Sequence, residues 1–75
     1  GEYYVFEIVG LAVYDETGRH LGVVADVLET RANDVYVVDR ADGQGELLLP
    51  AIRDVILRID LEQGRMDVRL LPGLE

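Results

Sequence analysis

Seventy-five residues, 49% of them apolar and none of them cysteine, make one small domain held by packing alone, which excludes a second lobe, disulfide staples, thiolate zinc sites and thiol nucleophiles. Fifteen acidic residues against seven basic ones, all arginine, leave a net charge of −8, which argues against a phosphate-binding surface and makes a basic protein the natural partner. The chain holds no run of roughly 18 apolar residues for a membrane helix and opens on no leader, so a soluble domain is expected, and Gly1 in place of a methionine suggests a piece of a longer protein.

The predicted elements are short apolar runs separated by turn signals, the pattern of a small all-β fold. Val9 to Tyr14 is the first run, and Asp15-Glu16-Thr17-Gly18 follows it with a glycine where positive φ suits a hairpin. His20 to Glu29 is the next strand, with Leu21, Val23, Ala25 and Val27 on one face and His20 and Asp26 on the other. Gly22 within it predicts a bulge or a tight bend. Thr30 to Asp34 is a turn, since Asn33 and Asp34 can bond their own backbone.

Val35 to Arg40 is β-branched and aromatic enough to be a strand, and Ala41 to Gly45 is a turn. Glu46 to Leu49 returns alongside it as a hairpin and ends at Pro50, which has no amide hydrogen for a ladder. Beyond Pro50 two periodicities overlap. Ile52, Val55, Ile56 and Ile59 have helical spacing, whereas Val55, Leu57, Ile59 and Leu61 alternate with Arg58 and Asp60 as a strand does. The partner segment tips the balance: Arg65 to Leu70 puts Met66, Val68 and Leu70 on one face and Asp67 and Arg69 on the other, and Glu62-Gln63-Gly64 suits a three-residue hairpin loop. Ala51 to Asp54 is therefore expected as a single helical turn and Val55 to Leu61 as a strand. About six strands result, and such a sheet is expected to close on itself as a small barrel.

Four ordered segments carry a family likeness: EYYVFEIVGL (Glu2 to Leu11), GVVADVLETRANDVYVV (Gly22 to Val38), LLLPAI (Leu47 to Ile52) and IDLEQGRMDVRLLPGL (Ile59 to Leu74). In order and spacing they resemble the C-terminal half of the ribosome maturation factor RimM family, a PRC-barrel domain, and the likeness covers nearly the whole chain. The family's N-terminal β-barrel domain has no counterpart in residues 1–75. The resemblance implies a small closed PRC-type β-barrel within a cytoplasmic bacterial assembly factor that is not an enzyme. Such a factor helps mature the head of the small ribosomal subunit and process its RNA. The implied partner is the nineteenth small-subunit ribosomal protein, which is basic, on the pre-small subunit; no strong nucleic-acid binding by this domain, no membrane and no cofactor is implied. The family's paired tyrosines, implicated in ribosome binding, match Tyr3 and Tyr4. Arg31 stands where the family's TGAND-like turn has glycine, which questions the left-handed geometry of that turn. The alternative setting for the same fold is a module like the photosynthetic reaction-centre H subunit, which needs a membrane anchor upstream.

On an extended chain Tyr3 and Tyr4 point to opposite sides, so one can anchor in the barrel while the other faces a partner; packing of both is the plainer alternative. His20 has no converging partners for a metal site or a triad. Asp39, Asp42, Gly43 and Glu46 break the order a calcium loop requires, and Gly18, Gly22, Gly43 and Gly45 do not form a dinucleotide fingerprint. No catalytic pair is indicated among the carboxylates. Leu47 to Ile52 is the longest apolar run; some of it must point outward, either into an interface or under the tail Leu70 to Leu74.

Overall fold

The computed structural model describes residues 3–73, so Glu2 and Leu74, at the ends of the segments quoted above, lie outside it. Its elements run α1 (Val5–Ile8), β1 (Ala12–Tyr14), β2 (His20–Leu28), β3 (Val35–Arg40), β4 (Glu46–Pro50), β5 (Ile56–Asp60) and β6 (Arg65–Val68). The strands form one curled sheet in the order β4-β3-β2-β1-β6-β5. Every pairing is antiparallel except β1 with β6, which is parallel.

The all-β reading and the count of six strands hold. Closure is met only as far as a curled half-barrel, because β4 and β5 stand at the two ends of the strand order and share no ladder. Pro50 gives β4 a terminal residue without an N–H, and β5 carries a bulge between Ile56 and Arg58, both ordinary features of an edge strand. The helix at Val5–Ile8 is an addition to the expected elements. The single turn expected at Ala51 to Asp54 is present within residues 51–56, where the Ile56 N–H donates to the Ile52 carbonyl at 2.8 Å, one turn of helical bonding that does not continue. Ile56 then enters the ladder opposite Val68, so the turn cannot propagate.

The predicted inward face of β2 is also corrected. Opposite β1, Val13 faces Gly22 and Tyr14 faces His20, which leaves Leu21 as an extra residue; opposite β3, Val24 faces Val38 and Asp26 faces Val37, which leaves Ala25 extra. Each bulge shifts the two-residue alternation by one. Leu21, Val24 and Val27 turn inward, while Val23 and Ala25 face solvent. Gly22 is required beside the first bulge, because a Cβ there would lie 2.1 Å from the Asp39 carbonyl oxygen. The turn with Arg31 needs no left-handed residue: no non-glycine residue among those described has positive φ. Thr30 clasps that turn, its hydroxyl donating to the Asn33 carbonyl and accepting the Asn33 N–H.

The concave side is filled by Ile8, Val13, Val24, Val38, Leu49, Val55, Met66 and Val68, all essentially removed from water. Each such side chain stabilises the fold by roughly 1.5–3 kcal/mol before chain entropy is counted. In the Leu47–Ile52 run, Leu47 and Leu49 are buried, whereas Leu48 points outward and is 51% exposed. Leu70 and Leu71 of the tail pack against the inner core.

Two aspartates close turns. The Asp15 Oδ1 accepts the Thr17 hydroxyl at 2.6 Å and the N–H groups of Thr17 and Arg19 at 2.9 and 3.1 Å. Asp42 accepts the Arg40 guanidinium at 2.8 and 3.2 Å and the Gln44 N–H at 2.9 Å. The Thr17 hydroxyl and the Arg40 side chain hold these two carboxyls below the ordinary value of 3.8. A lowered carboxyl pKa contributes stability that is present above the unfolded value and is lost as pH falls through the folded one. Melting temperature is therefore expected to drop on acidification below about pH 4, and the D15N/D42N double variant should show a shallower drop. Parallel acid profiles for the two proteins would assign that sensitivity to other carboxylates.

Candidate functional site

The N-terminal segment places both tyrosines at one end of the curled sheet. The helix α1 has only four residues, too few to be stable by its own hydrogen bonds, so tertiary anchoring must hold it. Ile8 supplies that anchor by inserting into the core, 2% exposed. The Gly10 N–H then donates to the Val24 carbonyl at 2.8 Å, and the Val24 N–H to the Leu11 carbonyl at 3.0 Å, which ties the helix exit to β2. At the other end the Glu7 carboxylate accepts the Tyr4 N–H at 2.9 Å and satisfies a donor that the helix start leaves open.

The two tyrosines then separate in role. Tyr3, 41% exposed, lies at the rim of an open groove of about 780 Å³ that Asp34, Tyr36, Ile52, Ile56 and Ile59 also line. Burial, the Asp34 carboxylate and Tyr3 push the Tyr36 phenol above its ordinary value of 10.0, so it remains a neutral hydroxyl at physiological pH. Tyr4 is 70% exposed, and its ring stacks on that of Phe6 with centroids 5.5 Å apart and planes 9° from parallel. Phe6 is itself 78% exposed. The expectation of one anchored and one outward ring becomes one ring on a groove rim and one in open solvent.

Phe6 is the residue that sequence reading missed. Its signal was the spacing Tyr4-Val5-Phe6, since residues two apart share a side of extended backbone, and Tyr4, still extended at the helix start, keeps its ring stacked beside that of Phe6. Two exposed aromatic rings held parallel offer a flat apolar area with one hydroxyl, fixed by few rotatable bonds. Such a surface suits a contact with another macromolecule. His20 lies at the far end of β2, exposed, with its ring 5.1 Å from that of Tyr14. No group of three or more potential metal ligands occurs among the described residues. No helix among them is long and apolar enough to cross a membrane.

Residues 5–74 match the RimM PRC barrel domain family. The chain is 55% identical over 74 residues to the ribosome maturation factor RimM of Syntrophomonas wolfei, an alignment that covers 99% of this chain and 42% of that protein. It is 54% identical, over 99% of its length and 43% of the relative's, to the ribosome maturation factor RimM of Desulforamulus reducens. Among solved structures it is similar to one described as a 16S ribosomal RNA processing protein RimM from Pseudomonas aeruginosa, with a TM-score of 0.83 and 42% identity over 92% of this chain and 44% of that one. The chain thus spans less than half the length of these relatives.

Proposed function

The chain belongs to the RimM PRC barrel domain family, and from that premise we propose that it is the C-terminal docking domain of a cytoplasmic small-subunit assembly factor, an adapter without covalent chemistry of its own. The domain binds a basic protein of the small-subunit head, the nineteenth, and so supports maturation of that subunit and processing of its RNA. Tyr3 and Tyr4 carry the contact, with Phe6 beside them. The observation that supports this most is the stacked, solvent-facing pair Tyr4–Phe6 on a helix whose only buried side chain is Ile8. Nothing in the packing of the domain requires those rings to be exposed. A net charge of −8 supplies the attraction for a basic partner and would repel RNA.

Charge-assisted docking has a simple test in calorimetric titration of the chain with the basic head protein at low and high salt. Affinity is expected to fall about tenfold between roughly 0.05 and 0.5 M salt, because exposed opposite charges are screened beyond the Debye length. Absence of binding at low salt, or an affinity indifferent to salt, would count against the reading.

A further inference from the structure

The two halves of the sheet differ on their convex side. On β5, β6 and β1 the outward residues neutralise one another: Arg58 pairs with Asp60 at 3.0 Å, Arg65 pairs with Asp67 at 2.6 Å, and the Arg65 guanidinium sits 4.1 Å above the Tyr14 ring. On β2, β3 and β4 the outward positions form three cross-strand rows, Leu28–Val35–Pro50, Asp26–Val37–Leu48 and Val23–Asp39–Glu46. The first two rows are apolar but for Asp26, and the third adds two carboxylates, so three acids and no base occupy these nine positions. Val37 belongs to no part of the inner core, yet its neighbours in the sheet reduce it to 6% exposure. Leu28 and Leu48 flank it, 44% and 51% exposed.

We propose that this outward face of β2–β3–β4 is a second docking surface, which takes a segment of a basic protein that presents apolar side chains between cationic ones. Charge complementarity selects the occupant. A second copy of this chain, also at −8, would bring carboxylates against carboxylates, whereas arginines or lysines set around an apolar anchor meet Asp26, Asp39 and Glu46 around Leu48. Among the described residues of the tail, Leu70 and Leu71 pack on the inner core and not on this face. The proposal rests on the functional reading above for the identity of its natural occupant.

The test compares the wild-type chain with L48S, which leaves charge unchanged, and with D39N/E46Q, each titrated with the basic small-subunit head protein. L48S is expected to weaken binding about tenfold with little change in melting temperature, since Leu48 packs in no core. D39N/E46Q is expected to weaken it less and to flatten its dependence on salt. Wild-type affinity in L48S, alongside a loss in Tyr4→Ala, overturns this surface and leaves the functional reading standing. If the wild-type chain fails to bind the head protein, that reading falls, and the surface is then judged with a synthetic peptide of alternating leucine and lysine. Binding of that peptide reduced by L48S supports the surface; no binding, or binding indifferent to L48S, overturns it. A self-associated wild-type chain that becomes monomeric in L48S overturns it as well, because the face then belongs to a second copy.

Discussion

Replacing Gly22 with alanine is expected to lower stability by about 3 kcal/mol, or roughly 15 °C in melting temperature, as two kinds of collision combine at one atom. An alanine Cβ would stand 2.1 Å from the Asp39 carbonyl oxygen, 2.9 Å from its carbonyl carbon and 3.0 Å from Val38 Cγ1. The nearest obstacles are backbone, so no rotamer change relieves them. The strands must separate instead, and the pairs Gly22–Arg40 and Val23–Asp39 lie where they would part. Gly18 provides the control: it has φ +87° but open space around its hydrogen, so Gly18→Ala should cost only the left-handed backbone penalty of about 1–2 kcal/mol. Thermal melts of the two variants separate crowding from conformation. A melting temperature for Gly22→Ala equal to or above that of Gly18→Ala would mean that β2 and β3 do not meet in this register.

Removing the two stacked rings is expected to have the largest effect on binding. A central aromatic contact typically contributes about 2 kcal/mol or more at an interface, which corresponds to roughly a 30-fold change in affinity. Tyr4→Ala and Phe6→Ala should each approach that loss against the basic head protein, and the double variant should lose less than the product, because the rings support one another at 5.5 Å. Tyr3→Ala should cost less affinity, since its ring lies along the groove rim with Tyr36. Stability should hardly change in Tyr4→Ala or Phe6→Ala, as both rings lie outside the core. A drop of many degrees in either variant would reassign the rings to packing.

Local chemistry made much of this fold legible. Val35–Arg40 is a strand by composition, the turn glycines Gly18, Gly45 and Gly64 adopt positive φ, and Gly22 marks a bulge as its position within a strand suggested. Counting by two failed along β2, because a bulge is set by the partner strand's register and leaves no mark of its own at Ala25. The parallel pairing of β1 with β6 joins segments some fifty residues apart, and no local pattern encodes it. Helix α1 escaped notice for a similar reason: four residues with two β-branched among them carry no helical period, and the Glu7 carboxylate and the burial of Ile8 fix the turn. The candidate site was readable only through family likeness at Tyr3 and Tyr4. Its third ring, Phe6, sits two residues from Tyr4 and stacks on it, a contact that no family motif marks.

Amide shift mapping offers the most direct decision on whether this acidic, ring-bearing domain works by holding a basic protein. The isotope-labelled chain would be titrated with the unlabelled nineteenth protein of the small-subunit head at moderate salt. Changes are expected in residues 3–8 around the stacked rings and on the outward face of β2–β3–β4, and to reverse as salt is raised. A spectrum unmoved at saturating partner, or changes confined to the outward side of β5–β6–β1, would contradict docking through this end of the sheet.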